Sequence, residues 1–198
     1  EVISMALVPM RAILEAADRH RYGQAAFNMN SFGQIESAIR IHELLGSPAI
    51  LQGAEASNAF MGGELDFMHG SAEAKRRGAK NIGDIVKKFG ADSPIPIALH
   101  LDHGKSLESV KACIDGGYTS VMIDGSSLPY EDNVALTREV VKYAHPYGVT
   151  VEGELGVLAG VEDHVFSATS TYTNPLQAVD FFKKTGCDAL AISYGTCH

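Results

Sequence analysis

Cysteine is scarce in this 198-residue chain, which contains only Cys113, Cys187 and Cys197. Three cysteines at wide spacing build neither a disulfide framework nor a paired-cysteine zinc site, so the composition favours a reducing, cytoplasmic location. Basic residues are also few, because 16 Lys and Arg stand against 24 Asp and Glu and no basic run occurs. Nucleic acid is therefore not an expected partner.

Long hydrophobic segments are absent as well, since no apolar run approaches the roughly 18 residues of a membrane-spanning helix. The first ten residues lack the basic start and the apolar stretch of a secretory signal peptide. With 45% hydrophobic and 20% charged residues, the composition predicts one soluble globular domain over residues 1–198 and no membrane partner.

Short β-rich runs alternate along the chain with helical patterns, and most of these runs are apolar throughout. They are 25–30, 48–53, 94–103, 119–125, 149–156 and 188–193. Continuous apolar runs are typical of parallel strands that are covered on both faces. The alternation predicts an α/β fold, with an open doubly wound sheet and a (βα)8 TIM barrel as the two architectures. No GxGxxG fingerprint follows the first run, which argues against a dinucleotide-binding oxidoreductase.

Three helices have recognisable start and stop signals. They are predicted over 31–46, 130–144 and 174–186. The first begins with a capping box at Ser31, and the last has Asn174 as its N-cap. Each of these two helices stops at a glycine. Elsewhere the pattern predicts a loop or lid over 58–70 and a helix over 81–90.

Polar residues cluster where the predicted strands end. They include Asn28, Gln52, Asp102, His103, Asp124, Glu152 and Glu154. Both α/β architectures place active sites at this edge, and chemistry supplied by several strand ends favours the barrel. Because a barrel needs eight strands and six are recognisable, we expect the chain to cover about the first six strand units of a TIM barrel.

Some of these polar residues are suited to binding a metal ion. Four of them could meet His198 in one basin of a barrel: Asp102, His103, Asp124 and Glu154. Imidazoles with carboxylates suit Zn²⁺ or another borderline divalent cation. Asp102 and His103 point to opposite faces of a regular strand, so sharing a site requires the strand to end there, with Gly104 permitting the turn. The competing interpretation is structural, because a single strand-end histidine is more often partly buried scaffold.

Several stretches together resemble the class II, metal-dependent ketose-bisphosphate aldolases. They are AFNMN (26–30), ALHLDHG (98–104), SVMIDGSSLPYEDNV (120–134), VEGELGVLAGVED (151–163), YTNP (172–175) and ALAISYGTCH (189–198). The resemblance covers nearly the whole chain in the family's order. It implies a barrel enzyme that reversibly cleaves a ketose 1,6-bisphosphate, with fructose 1,6-bisphosphate as the expected substrate. It also implies a homodimer or homotetramer.

The resemblance further assigns the metal ligands. His103 and His198 match ligands of a catalytic Zn²⁺. Asp124 and Glu154 match positions that line the metal basin and can hold a second cation, divalent or monovalent. A Lewis acid of this kind suits the reaction, because it stabilises the negative charge left when a bond next to a ketone breaks.

The remaining roles also follow from the resemblance. Asp102 matches the acid–base group at the cleaved C3–C4 bond, and Glu162 matches a loop carboxylate that exchanges a proton on the dihydroxyacetone phosphate carbon. Asn28 matches a position that contacts substrate. A Schiff-base aldolase would instead need a lysine. Lys105 is the only lysine near these strand ends, and it is expected to face solvent.

Two departures from the family pattern leave alternatives open. Cys197 stands where serine or alanine is usual, and Ala54 stands where many members have a serine on the phosphate side. These changes bear on substrate preference, so a tagatose-bisphosphate aldolase is one alternative. A barrel that binds metal or sugar phosphate without turnover is the other.

Overall fold

The computed structural model describes residues 7–157, 160–162, 165–167 and 172–195. The helices in this part of the chain are α1 (Met10–His20), α2 (Phe32–Leu45), α3 (Glu55–Met61), α4 (Ala72–Gly90), α5 (Leu107–Gly116), α6 (Tyr130–Ala144) and α7 (Pro175–Thr185). The strands are β1 (Ala26–Asn28), β2 (Ala49–Ala54), β3 (Ile97–Gly104), β4 (Ser120–Ile123), β5 (Thr150–Leu155), β6 (Gly160–Glu162), β7 (Val165–Ser167) and β8 (Ala189–Ile192).

Six of these strands form one parallel sheet in the order β1-β2-β3-β4-β5-β8. The separate strands β6 and β7 pair antiparallel with each other. All six predicted β runs are confirmed, and so are the three helices predicted over 31–46, 130–144 and 174–186. Ser31 accepts a hydrogen bond from Gln34 N, and Asn174 accepts from Leu176 N. The α/β fold with parallel strands is confirmed as a six-stranded, partly closed sheet.

The two faces of the sheet have different neighbours, which explains why its strands read as apolar throughout. On one face, Leu51, Leu99 and Val151 are fully buried in the main core against the helices. On the other face, α1 covers the amino ends of the strands, where Ile13 packs with Ile50 and the neighbouring alanine of β3. The carboxyl ends of this second face are left for polar side chains.

The prediction of a loop over residues 58–70 is wrong for its first four residues. The structure has helix α3 over Glu55–Met61, and it begins the next helix at Ala72, nine residues before the predicted start. A short 3₁₀ turn, Phe67–His69, lies between these two helices. Among the described residues, no helix has both the length and the apolar character that crossing a bilayer requires.

Candidate active site and metal centre

The polar strand ends line one cavity of about 540 Å³ on the face of the sheet that α1 covers. All of its charged lining and part of its polar lining come from three strands: Gln52, His100, Asp102, His103, Glu152 and Glu154. Helix α1 and strand β8 supply most of the apolar lining. The structure therefore places the candidate chemistry of β2, β3 and β5 in a single basin.

Strand β3 ends in a distortion that brings two adjacent residues into this basin. The register between β3 and β4 shifts between Leu101 and Gly104, and His103 has a left-handed backbone with φ of 47°. The turn was expected at Gly104, but that residue has no positive φ. Glycine is needed there because the backbone of β4 comes close: a Cβ at this position would lie 2.6 Å from the carbonyl oxygen of Met122. Asp102 and His103 share the site because the left-handed residue is the histidine itself.

His103 lies among three carboxylates. Its Nδ1 is 3.2 Å from Asp124 Oδ2 and 3.4 Å from Glu154 Oε2, and its Nε2 is 3.9 Å from Asp102 Oδ1. The hydrogen bond to Asp124 raises the pKa of His103 to about 9 against the opposing effect of burial, and the carboxylate charges add to the rise. The negative charge that favours a proton on this imidazole equally favours a metal cation beside it.

Three of these side chains have the chemistry and the spacing of a metal site. One ligand atom from each of His103, Asp124 and Glu154 lies within 4.8 Å of the others. An imidazole with two carboxylates is a donor set that zinc and similar divalent cations accept. The residues present therefore fit a divalent cation.

Helix α6 fixes the position of Glu154. The nearly fully buried Asn133 donates from Nδ2 to the backbone carbonyl of Glu154 at 2.8 Å, and its Oδ1 accepts from Thr137 Oγ1 at 3.2 Å. A buried carbonyl left without its donor is costly, so this contact holds the carboxyl end of β5 against α6. Asn133 consequently determines where the Glu154 carboxylate can lie relative to His103.

Asp124 accepts hydrogen bonds from three residues. Ser126 donates to Oδ1 from its backbone N at 3.1 Å and from its hydroxyl at 2.6 Å. At Oδ2, Lys105 Nζ lies at 2.5 Å, beside His103 Nδ1. Burial alone would raise the pKa of Asp124, but the hydrogen bonds from His103, Lys105 and Ser126 outweigh it and hold the pKa well below its usual range. Lys105 is exposed over 39% of its side chain, as expected, but its ammonium is paired with the buried Asp124 carboxylate.

A row of amide and carboxylate groups crosses the ends of β1, β2 and β3. Gln52 Nε2 donates to Asp102 Oδ2 at 3.0 Å and to Asn28 Oδ1 at 2.6 Å. Asn28 and Gln52 are partners in the parallel register, so the sheet itself sets this spacing. The row orients the Asp102 carboxylate next to His103.

A second layer of polar groups lies deeper on the same face. His100 Nδ1 is 2.8 Å from Ser120 Oγ, His100 Nε2 is 3.4 Å from Glu152 Oε2, and Ser120 Oγ donates to Met10 Sδ at 3.7 Å. Burial lowers the pKa of His100 to about 3, with the charge of His103 acting in the same direction. Burial also raises the pKa of Glu152 to about 7, helped by the Asp102 charge. A neutral imidazole that donates a hydrogen bond from Nδ1 to Ser120 and accepts one at Nε2 from the protonated carboxyl of Glu152 satisfies this layer.

Comparison with known proteins identifies the family. The family model described as fructose-bisphosphate aldolase class-II matches residues 8–198. The chain belongs to the class II fructose-bisphosphate aldolase family. The resemblance found in the sequence is thereby confirmed.

Individual members of the aldolase family agree with this result. The chain is 44% identical over 197 residues to a fructose-bisphosphate aldolase of Treponema pallidum and 39% identical over 196 residues to one of Geobacillus stearothermophilus, each over 98% of this chain. The crystal structure of the YdjI aldolase from Escherichia coli K12 superposes with a TM-score of 0.76 and 29% identity over 97% of this chain. The chain covers 56%, 63% and 62% of these three proteins, respectively.

Two residues that the resemblance to class II aldolases assigns are outside this geometry. Glu162 is the last residue of strand β6, but its side chain falls outside the described residues, and so does the whole of His198. Among the described residues around Glu162, strand β6 pairs antiparallel with β7.

Sequence reasoning did not include Gln52 or Asn133 among the site residues of this aldolase-family chain. Gln52 was recognised as a polar strand end, but its contact with Asp102 depends on the register between β2 and β3. Asn133 lies within a helix whose apolar stripe is otherwise regular. An asparagine that is buried within such a stripe is a signal for a backbone contact of this kind.

Proposed function

We propose that this chain carries catalytic residues of a metal-dependent aldolase that reversibly cleaves fructose 1,6-bisphosphate to dihydroxyacetone phosphate and glyceraldehyde 3-phosphate. The observation that carries this proposal is the left-handed turn at His103, which brings Asp102 and His103 together beside Asp124 and Glu154. Family membership supports the reaction class. A tagatose 1,6-bisphosphate aldolase would use the same groups.

The metal in this proposal is Zn²⁺. His103 and His198 would hold it, and Asp124 and Glu154 are the positions at which the family resemblance places a second cation. The bound cation would supply a Lewis acid that polarises the substrate's ketone and offsets the negative charge that develops on its oxygen. Converging carboxylates around His103 support the assignment, because they favour positive charge at this point.

The proposed chemistry of the protein groups follows from their positions. Asp102 removes the proton of the substrate hydroxyl at the cleaved bond and returns it in the direction of synthesis. The donor on Gln52, at 3.0 Å, keeps that carboxylate oriented for the transfer. Glu162 exchanges the proton on the dihydroxyacetone phosphate carbon, and Asn28 contacts the substrate at the edge of the basin.

We further propose that the six strands belong to a (βα)8 barrel, as one domain of a cytoplasmic homodimer or homotetramer. Within the described residues, β1 and β8 are the two edges of the sheet, and each exposes a large apolar side chain. Phe27 of β1 is 45% exposed and Ile192 of β8 is 48% exposed. Two more strand–helix units between these edges would bury both and close the sheet.

A cleavage assay with a matched pair of variants tests the proposed reaction. Asp102→Asn keeps the shape of the side chain but removes the base, so we expect the rate of fructose 1,6-bisphosphate cleavage by the purified protein to fall by at least about 100-fold. The control is Asp115→Asn, an exposed aspartate of α5 outside the basin, which should retain the wild-type rate. Chelation should abolish activity and added Zn²⁺ should restore it.

Three outcomes separate the alternatives. Faster cleavage of the tagatose epimer would assign the chain to that aldolase activity. Stoichiometric Zn²⁺ binding with no cleavage of either epimer would support a binding protein without turnover. Activity that survives complete removal of metal, with a substrate adduct trapped by borohydride, would replace the proposal with lysine chemistry.

A further inference from the structure

Lys105 contacts the candidate metal centre through Asp124, and both its backbone and its side chain are held by carboxylates. Its backbone N–H donates to Glu55 Oε1 at 2.9 Å, and the other oxygen of Glu55 lies 2.7 Å from Lys75 Nζ. Its side-chain Nζ lies 2.5 Å from Asp124 Oδ2. The Glu55 contact fixes the backbone that follows the β3 distortion, so the lysine stem starts within reach of Asp124.

The acceptor capacity of Asp124 is filled by protein donors. A carboxylate offers about four lone-pair positions, two on each oxygen. Ser126 occupies Oδ1 through its backbone N–H and its hydroxyl, while Lys105 and His103 occupy Oδ2. A cation that binds Asp124 directly would therefore have to displace at least one of these donors.

Because Lys105 is positively charged, it is the donor that a second cation at Asp124 would have to displace. An ammonium at 2.5 Å already neutralises the Asp124 carboxylate, and a second cation beside it would meet a positive charge at short range. Only 4% of the Asp124 side chain is exposed, so water screens this repulsion poorly. The ammonium could leave, because 39% of the Lys105 side chain is exposed, but the carboxylate would then lose its strongest donor.

We propose that Lys105 is a positioning residue that acts as a built-in cation at Asp124 and limits the basin to one divalent metal ion. It keeps Asp124 as the hydrogen-bond acceptor of His103 and takes the place of the second cation that the family resemblance assigns to this carboxylate. This inference rests on the proposed metal centre, and it concerns the number of metal ions rather than the reaction.

Metal titration of charge variants tests this inference. The purified protein is stripped of metal and titrated with Co²⁺, and bound equivalents are counted by equilibrium dialysis together with the visible absorption of the ion. Wild type should bind one equivalent per chain. Lys105→Met removes the charge but keeps most of the stem, so it should bind a second equivalent at least about tenfold more tightly than wild type does.

Two controls separate charge from other effects of substitution. Lys105→Arg keeps a cation near Asp124 and should bind one equivalent. Lys80→Met removes a lysine of α4 that is paired with Asp84 and 67% exposed, and it should also bind one equivalent. Thermal unfolding followed by circular dichroism verifies that each variant is folded. If Lys105→Met fails to fold, Lys105→Gln carries the same expectation.

The outcomes distinguish this inference from the proposed function. A Lys105→Met binding curve that overlays a one-equivalent wild-type curve would overturn the inference and leave the metal-dependent aldolase standing. Two equivalents bound by wild type would do the same. A wild-type protein that binds no Co²⁺ would overturn both.

Discussion

His103 occupies a backbone region that residues with a Cβ rarely adopt, with φ of 47°. Conformations of this kind cost about 1–3 kcal/mol and persist where the surrounding structure enforces them. Here the bulge between β3 and β4, and the contacts of the imidazole with Asp124 and Glu154, supply that enforcement. The strain is coupled to the site, because a regular strand would turn either Asp102 or His103 away from the basin.

A pair of substitutions at this residue measures the strain. His103→Ala and His103→Gly both remove the imidazole and its contacts, but only glycine accepts a positive φ at little steric cost. We expect the glycine variant to be more stable than the alanine variant by ~1 kcal/mol in urea-induced unfolding. Both variants should lose Co²⁺ binding. Equal stability of the two would show that the backbone at residue 103 is relaxed.

At the level of single residues, the sequence predicts the position of a functional group when a chemically reactive side chain comes directly after an apolar strand. Asp102 and His103 follow an apolar strand directly, so their place at the edge of the sheet could be predicted. The ion pair between Lys105 and Asp124 could not, because it joins residues that follow two different strands. The conformation of His103 was equally out of reach, since the sequence offers a glycine next to it as the obvious turn residue.

Helix α4 illustrates why one element was misjudged. Its sequence contains Gly78 and Gly83 within the helix, and glycine weakens the helical signal of a segment. The structure shows what the second of these is for. A Cβ at residue 83 would lie 1.8 Å from the carbonyl oxygen of Gly116, at the close contact between α4 and α5. Gly78 lies in the half of α4 that went unpredicted, and it has the same role, because a Cβ at residue 78 would lie 1.6 Å from the carbonyl oxygen of Asn58 in α3. Close packing between helices thus accounts for both glycines that weaken the helical signal of α4.

A contrast between two helical glycines tests this explanation. Gly83→Ala adds a methyl group against a backbone oxygen that cannot move freely, so we expect the free energy of unfolding to fall by about 2 kcal/mol or more. Gly33→Ala in α2 has nothing within 4 Å of the new Cβ and should be neutral or stabilising by up to about 1 kcal/mol. Both values come from urea-induced unfolding. Similar effects at the two positions would contradict the role of residue 83 in helix packing.

At the scale of the whole molecule, the face of the sheet that packs against the main core could be predicted from the sequence pattern. The polar groups on the inner face could not. Apolar runs predicted the parallel strands, but the same runs carry His100 and Glu152 toward the interior of the sheet, where they contact each other. A pair of residues from β3 and β5 can be recognised only when the strand order and register are known. This buried polar layer connects the stability of the whole fold to pH.

Ionisation of Glu152 should make the free energy of unfolding of the chain depend on pH. Burial raises its pKa from 4.5 to about 7 in the folded protein. Its neutral form is therefore favoured by folding, and the stabilisation is fully present below pH 4.5. As the pH rises, the unfolded chain ionises first, and the contribution is lost by about pH 7. The total loss is about 3 kcal/mol, since one pKa unit corresponds to about 1.4 kcal/mol.

Glu152→Gln should remove this dependence, because an amide can donate to His100 at any pH and never ionises. With chelator present, we expect the variant to match wild type near pH 4.5 and to exceed it by up to about 3 kcal/mol at pH 8. Urea-induced unfolding at pH intervals between 4.5 and 8 gives the difference curve. Glu139→Gln, at an exposed position of α6, should show no such trend. The difference in free energy of unfolding between wild type and Glu152→Gln could instead stay constant with pH. Glu152 would then be ionised in the folded protein, and the assignment of a neutral polar layer beneath the site would be wrong.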